Sequence, residues 1–289
     1  MQPVPEYAAI TRMMDDTRTL AQIEEHYALE VRLADRLRSS GSAAERTRLY
    51  TELYDELFSA LPHHPQNARK GTGQDTYIAR QLGILRPYLK PDDVFVEIGG
   101  GDCRLSWAVA PFVKEVVAVE ITDRLYDAAR APSNVRLVVT DGVELPLEPG
   151  SADVVFSNQL MEHLHPEDAR TQLRSIYQAL RPQGRYVCLT PSATSGPHDI
   201  SRYFDRTATG FHMKEYDYAS IAATMRAAGF DRIEALLVVR GRVLGKVDVG
   251  LARRLETWVT RLPEAGRRAF GRSGPGKCLL GLKVIATKD

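Results

Sequence analysis

Three acidic residues set the chemical direction of this chain. Glu97 stands before the glycines of Val94-Phe-Val-Glu-Ile-Gly-Gly-Gly-Asp-Cys103, Glu120 follows roughly 20 residues after them, and Asp141 lies in Thr140-Asp141-Gly142. Glycines let the backbone approach a ligand that a Cβ would hold off, and they permit the φ/ψ of a tight turn. A carboxylate beside them repels a pyrophosphate but suits a cationic or hydroxyl-rich small molecule. Glu120 is placed to accept from two ribose hydroxyls, and Asp141 to face an adenine amino group. The dinucleotide fingerprint Gly-x-Gly-x-x-Gly is incomplete, because Arg104 stands where its third glycine belongs. A second stretch, 191–218, mixes His198, Asp199, Arg202, Tyr203 and His212 with Phe204, Phe211 and Glu215. It is long for a plain connection, and long ordered loops are often functional. Its residue types suit a polar acceptor such as a sugar. The alternative is that they fasten the loop to itself.

The elements that must position these residues follow from periodicity. Helical spacing runs through 15–60, with Leu20, Ile23, Tyr27, Val31 and Leu37 on one helix and a second at 43–60 that ends at Leu61-Pro62-His63-His64-Pro65. From residue 74 a helix at 74–89 leads into strands expected at 93–98, 115–119, 134–139, 153–157 and 184–190. Helices are expected between them at 103–110, 123–130 and 166–181. This alternation predicts a parallel sheet with helices on both faces. A helix at 216–228 ends at Gly229, and the apolar runs 233–239 and 278–287 predict an antiparallel pair at an edge. Residues 241–276 read as an insertion with a basic amphipathic helix whose apolar set is Leu251, Leu255, Trp258, Val259 and Leu262; its Arg253-Arg254 and Arg267-Arg268 read as a solvated face. The three acids then stand at the C-terminal ends of three successive strands, around one crevice.

Composition narrows the class. A net charge of +1 gives no field that attracts nucleic acid or a membrane surface. No stretch approaches the roughly 20 apolar residues of a membrane span. Cys103, Cys188 and Cys278 lack the spacing of a metal or disulfide framework and fit a reducing compartment. With no leader-like segment at Met1, the expected location is cytoplasmic.

On these residues the chain resembles the class I S-adenosylmethionine-dependent methyltransferases of the type 11 group. Glu97-Ile-Gly99-Gly100-Gly101-Asp-Cys103 matches their Glu/Asp-x-Gly-x-Gly-x-Gly, with Cys103 in place of the last glycine. The stretches Asp153-Val-Val-Phe-Ser-Asn158-Gln159-Leu-Met-Glu162-His163-Leu164 and Leu180-Arg-Pro-Gln-Gly-Arg185 carry the likeness onward. The resemblance covers about 74–239. It implies a doubly wound, Rossmann-like, seven-stranded α/β methyltransferase sheet over 71–289, with an N-terminal helical cap over 1–70 and substrate-side insertions at 191–218 and 241–276. It implies S-adenosylmethionine as cofactor, held by Glu97, Gly99, Gly100, Gly101, Glu120, Ile121, Asp141 and Gly142, with Asn158 and Gln159 near the methionine end and the substrate mouth.

Methyl transfer is an in-line displacement, so the protein mainly aligns the reactants. A hydroxyl acceptor also needs its proton removed, which suits a histidine. His163, in the loop after the fourth strand, is the first choice of base and His198 the second. Glu162, Asp199, Arg202, Tyr203 and His212 are expected to bind substrate, and His165 to be structural. No metal site is expected, since the adjacent acids Glu167-Asp168 stand at a helix N-terminus. The expected partner is a small-molecule or oligosaccharide acceptor, with no nucleic acid, no stable membrane insertion, and a homodimer left open. N- or C-methylation, a nicotinamide-dependent oxidoreductase and a non-catalytic cofactor-binding protein are the competing readings.

Overall fold

The computed structural model describes residues 1–65, 74–263, 266–267, 270–271 and 273–289. Arg268 and residues 66–70 of the expected cap lie outside them. Among the described residues, eight strands form one sheet in the order β3-β2-β1-β4-β5-β8-β6-β7. They are β1 (Val94–Ile98), β2 (Glu115–Glu120), β3 (Val135–Val139), β4 (Ala152–Asn158), β5 (Leu180–Leu189), β6 (Arg232–Val239), β7 (Arg242–Asp248) and β8 (Lys283–Thr287). Strands β1 to β5 are parallel, and β8 inserts antiparallel between β5 and β6. The order reverses between β1 and β4, which makes the crevice beyond their C-terminal ends a binding position.

Two helical layers cover the sheet because its strands alternate. Phe95, Val116, Val154 and Phe156 face one core with residues of α4 (Gln74–Leu85) and α5 (Arg104–Val109). Val96, Val117, Val119 and Val155 face a second core. That core takes in α2 (Leu20–Arg38), α3 (Ala43–Ala60), α6 (Pro166–Ala179), α7 (Tyr218–Ala227) and α8 (Val249–Thr260), with α1 (Tyr7–Met14) lying outside it. Local signals start these helices where the sequence predicts. Thr19 and Gln22 form a capping box on α2, Ser42 caps α3, and α6 opens with His165 as cap, Pro166, and two acids in its first turn.

Helices α2 and α3 share the core of the sheet face. Arg46 grips Asp168 with Nε and Nη2 at 2.8 and 2.7 Å, and Tyr50 donates to the same carboxylate at 2.8 Å. Further contacts tie them to the 191–218 loop. Tyr27 donates to Asp205, Arg38 to the carbonyls of Thr209 and Gly210, and Phe211 N to Glu30.

Four expectations change. The 123–130 helix is a series of turns: Thr122 and Asp127 side chains accept from the amides two residues on, and Leu125 is exposed, so no apolar face favours a helix. The late antiparallel pair is not the edge, because β7 from the 241–276 insertion adds an eighth strand outside β6. Their hairpin turns on Arg240 and Gly241, both at positive φ, as a tight two-residue turn requires. Residues 278–279 belong to α9 (Gly274–Leu279), so the last strand starts at Lys283. In α8 the buried face is Val249, Ala252, Glu256 and Val259, while Leu251, Leu255 and Trp258 are exposed.

Candidate active site

The glycine turn after β1 is built around a buried acid. Gly99 and Gly101 have φ of +71° and +65°. A Cβ on Gly100 would lie 2.6 Å from Glu97 Cδ, so this glycine is what lets the Glu97 side chain fold beneath the turn. Ser106 donates to Glu97 Oε2 at 2.6 Å, and burial pushes the Glu97 carboxyl up to about 7. Glu120, at the end of β2, accepts from Gly101 N at 2.6 Å; burial, with Glu97 nearby, also raises it to about 7. Ile121 packs against Gly142, whose absent Cβ would meet Ile121 Cγ2 at 2.7 Å. Asp141 fixes the turn after β3 by accepting from the amides of Val143 and Glu144, and it is exposed. Cys103 caps α5 at φ 57°, left-handed, which explains what a glycine would gain at that place.

Glu97, Gly99, Gly100, Gly101, Asn158 and Gln159 line one cleft of about 470 Å³. Asn158 donates to the Tyr77 hydroxyl at 2.6 Å, and Gln159 N to Leu189 O at 2.8 Å. Asn158 and Gln159 also line a groove that runs along β5 as far as His198. His198 in turn lines a cavity of about 520 Å³, together with His163, Asp199, Arg202, Tyr203 and His212. Cleft, groove and cavity therefore lie in a row, and all but one of the expected substrate-side residues converge on the cavity.

The exception is Glu162. It is fully buried behind His163 and His212 rather than in the cavity lining: Oε2 accepts from Thr190 at 2.9 Å, and Oε1 has no hydrogen-bond partner. Burial holds its carboxyl at about 7. Several of the others also hold the loop together. Asp199 accepts from Ser201 N and Gly210 N, and Tyr203 donates to Asp16 at 2.7 Å. His198 Nε2 donates to Ser192 O at 3.1 Å. Burial drives the His163 imidazole down to about 4. His212 donates through Nδ1 to Glu215 at 2.7 Å; against the opposing cost of burial, that bond and the surrounding carboxylates raise it. His165 is structural: its ring accepts from Glu167 N.

The other cavity wall comes from the N-terminal segment expected as a cap, through residues that were not among those expected. Arg18, His26, Glu30, Tyr54 and His64 line it. His26 Nε2 pairs with Glu30 at 2.8 Å, and Arg18 donates to His26 Nδ1 at 2.7 Å. The i,i+4 spacing of His26 and Glu30 was a usable signal for a helix-face pair; nothing local pointed it at the 191–218 loop. Among the described residues, two groups have the donor types of a metal site within 4.8 Å of one another: His26, Glu30 and His64, and Glu162, His163 and His212.

Comparison with known proteins shows what this chain is similar to. Residues 96–188 match a family model described as a methyltransferase domain. A Mycolicibacterium smegmatis protein described as a probable S-adenosylmethionine-dependent methyltransferase is 27% identical over 198 residues, 66% of this chain and 74% of that one. Among solved structures, a complex between the Haloferax volcanii Trm112 methyltransferase activator and a methyltransferase matches with a TM-score of 0.52 and 17% identity over 75% of this chain and 94% of that one. The Burkholderia thailandensis 1,6-didemethyltoxoflavin-N1-methyltransferase, solved with S-adenosylhomocysteine, matches with a TM-score of 0.52 and 19% identity over 84% and 90%. The sequence matches support an S-adenosylmethionine-dependent methyltransferase, and the structural likenesses establish the class I fold. The cofactor is S-adenosylmethionine. The cleft fits it: a Cβ at Gly101 would meet only open space, and the buried carboxylates Glu97 and Glu120 favour a ligand with cationic centres and ribose hydroxyls.

Proposed function

We propose that this chain methylates a hydroxyl of a sugar, oligosaccharide or other polar metabolite seated in the 520 Å³ cavity, with His198 as general base and the N-terminal helices as cap. The observation that carries the reading is the shared lining. Asn158 and Gln159 belong to both cleft and groove, and His198 to both groove and cavity. His198 thus stands between cofactor and acceptor. S-adenosylmethionine supplies an electrophilic methyl group, and the protein's part is alignment and proton removal. With Nε2–H held by the Ser192 carbonyl, His198 keeps its Nδ1 lone pair for a proton. Burial lowers both imidazoles; His163, first choice from sequence, is driven down to about 4 and has little drive to accept a hydroxyl proton, so the choice of His198 rests on its place between groove and cavity.

The test is mass spectrometry of metabolite and oligosaccharide pools incubated with enzyme and methyl-labelled cofactor, repeated with His198→Ala. The expected variant loses about 10²- to 10⁴-fold in kcat and keeps its affinity for S-adenosylhomocysteine. Labelled product on nitrogen or carbon, or full turnover by the variant, overturns the reading.

A further inference from the structure

We infer that Glu162, His163 and His212 form a binding site for a divalent transition ion, zinc in the first instance, whose open position faces the acceptor cavity. Each residue offers one ligand atom, and the three atoms lie within 4.8 Å of one another. Two imidazoles and one carboxylate are the ligand set of a catalytic zinc centre that keeps its fourth position open.

The orientation of each group supports the assignment independently of their proximity. A metal takes an imidazole through a nitrogen lone pair, and the other nitrogen normally donates to a carbonyl or carboxylate. His163 Nδ1 lies 2.9 Å from the Tyr54 hydroxyl and 3.2 Å from the Phe211 carbonyl; the carbonyl can only accept and the hydroxyl can accept, and in the tautomer that donates Nδ1–H to them the lone pair is on Nε2. His212 Nδ1 donates to Glu215 Oε1 at 2.7 Å, which leaves its Nε2 free in the same way. Glu162 Oε2 is fixed by Thr190 at 2.9 Å. Its Oε1 is fully buried, has no hydrogen-bond partner, and lies 4.0 Å from His163 Nε2. A buried carboxylate oxygen left unpaired is costly, and a cation is what it lacks. Ligands at about 2.0–2.1 Å in tetrahedral geometry are about 3.3 Å apart, so the 4.0 Å gap must close by less than 1 Å. The second cluster is a poorer site, because His26 spends both ring nitrogens, on Glu30 and Arg18.

His163 and His212 line the cavity, so an ion on them reaches the acceptor side. There it would bind the acceptor hydroxyl and lower its pKa, with the proton passing to His198. This polarising role rests on the acceptor-site reading above; metal binding itself does not.

Zinc chloride titrated calorimetrically into the metal-stripped full chain should bind with one equivalent at this site, and cobalt(II) in its place should show the absorption of a low-coordinate centre. Glu162→Gln and His212→Ala should each weaken binding at least 100-fold, and Glu215→Gln about 10- to 100-fold. His198→Ala should bind normally while losing turnover. Glu162→Gln removes an unpaired buried charge, so its metal-free Tm should be equal to or above that of the parent while the zinc-induced rise in Tm disappears. No stoichiometric binding, or binding that survives Glu162→Gln and His212→Ala but is lost in His64→Ala, overturns the site. Turnover unchanged by chelation overturns the polarising role.

Discussion

Cofactor binding should be coupled to proton release from Glu97 and Glu120. Both carboxyls are raised to about 7, chiefly by burial, with Asp102 adding to the rise at Glu97 and Glu97 to the rise at Glu120. A ligand that brings positive charge and ribose hydroxyls into the cleft favours the ionised forms, so it lowers both pKa values. The sign follows. Affinity is complete above about pH 7 and is lost as pH falls through it. For one group at 7, the ionised fraction falls about tenfold between pH 8 and pH 6, which is about 1.4 kcal/mol of binding free energy. Two groups acting together give at most about 100-fold. The same protons affect folding in the opposite direction. A carboxyl whose folded value lies above its unfolded one stabilises the protonated fold, so the ligand-free protein should lose about 1.4 kcal/mol per group between pH 6 and pH 8. Calorimetry with S-adenosylmethionine across this range, in two buffers of different ionisation enthalpy, reads affinity and proton release together. Glu120→Gln should remove about half of the pH dependence. A dissociation constant flat from pH 6 to 8 with no proton release would refute the argument that these carboxylates are the cofactor's counter-charges.

Two further outcomes follow from the packing. Breaking the buried Arg46–Asp168 pair by Arg46→Ala should cost about 3–5 kcal/mol in urea denaturation, whereas replacing both partners by apolar residues of similar volume should recover most of it; a single variant within 1 kcal/mol of the parent would show that α3 is not held there. Burial raises the Cys103 and Cys188 thiols to about 12, so alkylation of the native protein should label the half-buried Cys278 and leave those two unlabelled; modification of Cys103 before unfolding would contradict its placement under the glycine turn.

The sheet was legible because burial on both faces forces apolar runs such as Val94–Ile98 and Val116–Val119, and because glycines and prolines punctuate them. Where tertiary contacts overrode local pattern, the reading failed. Residues 123–130 have helix-forming composition, but with Leu125 exposed and side chains of Thr122 and Asp127 bonded to nearby amides, turns prevail. Strand β7 alternates as an edge strand should, yet its turn is Arg240-Gly241 rather than the Asn-Gly that marks such hairpins. Gly241 is there for a second reason: a Cβ would come within 2.6 Å of Arg80 on α4.

The two halves of the site differ in legibility for a physical reason. The cleft after β1 is made by strand ends, so Glu97, Asn158 and Gln159 of its lining fall at fixed places in the alternation and could be found by counting, whereas Glu120 and Asp141, expected beside it, are not in that lining. The 520 Å³ cavity is made by closing a loop against helices far away in sequence. His26 and Glu30 meet the loop only because Phe211 N donates to Glu30 and Tyr27 reaches Asp205. Those contacts join residues 181 and 178 positions apart, and no local pattern encodes such a pairing. His212 shows what this hides. In sequence it is one polar residue among several. In the fold, Glu215 accepts from its Nδ1, and His212 offers one of three possible ligand atoms, with His163 and Glu162, that lie within 4.8 Å of one another. The proposed ion site is therefore a product of the tertiary fold, built from Glu162, His163 and a residue of a distant loop that no spacing rule joins to them.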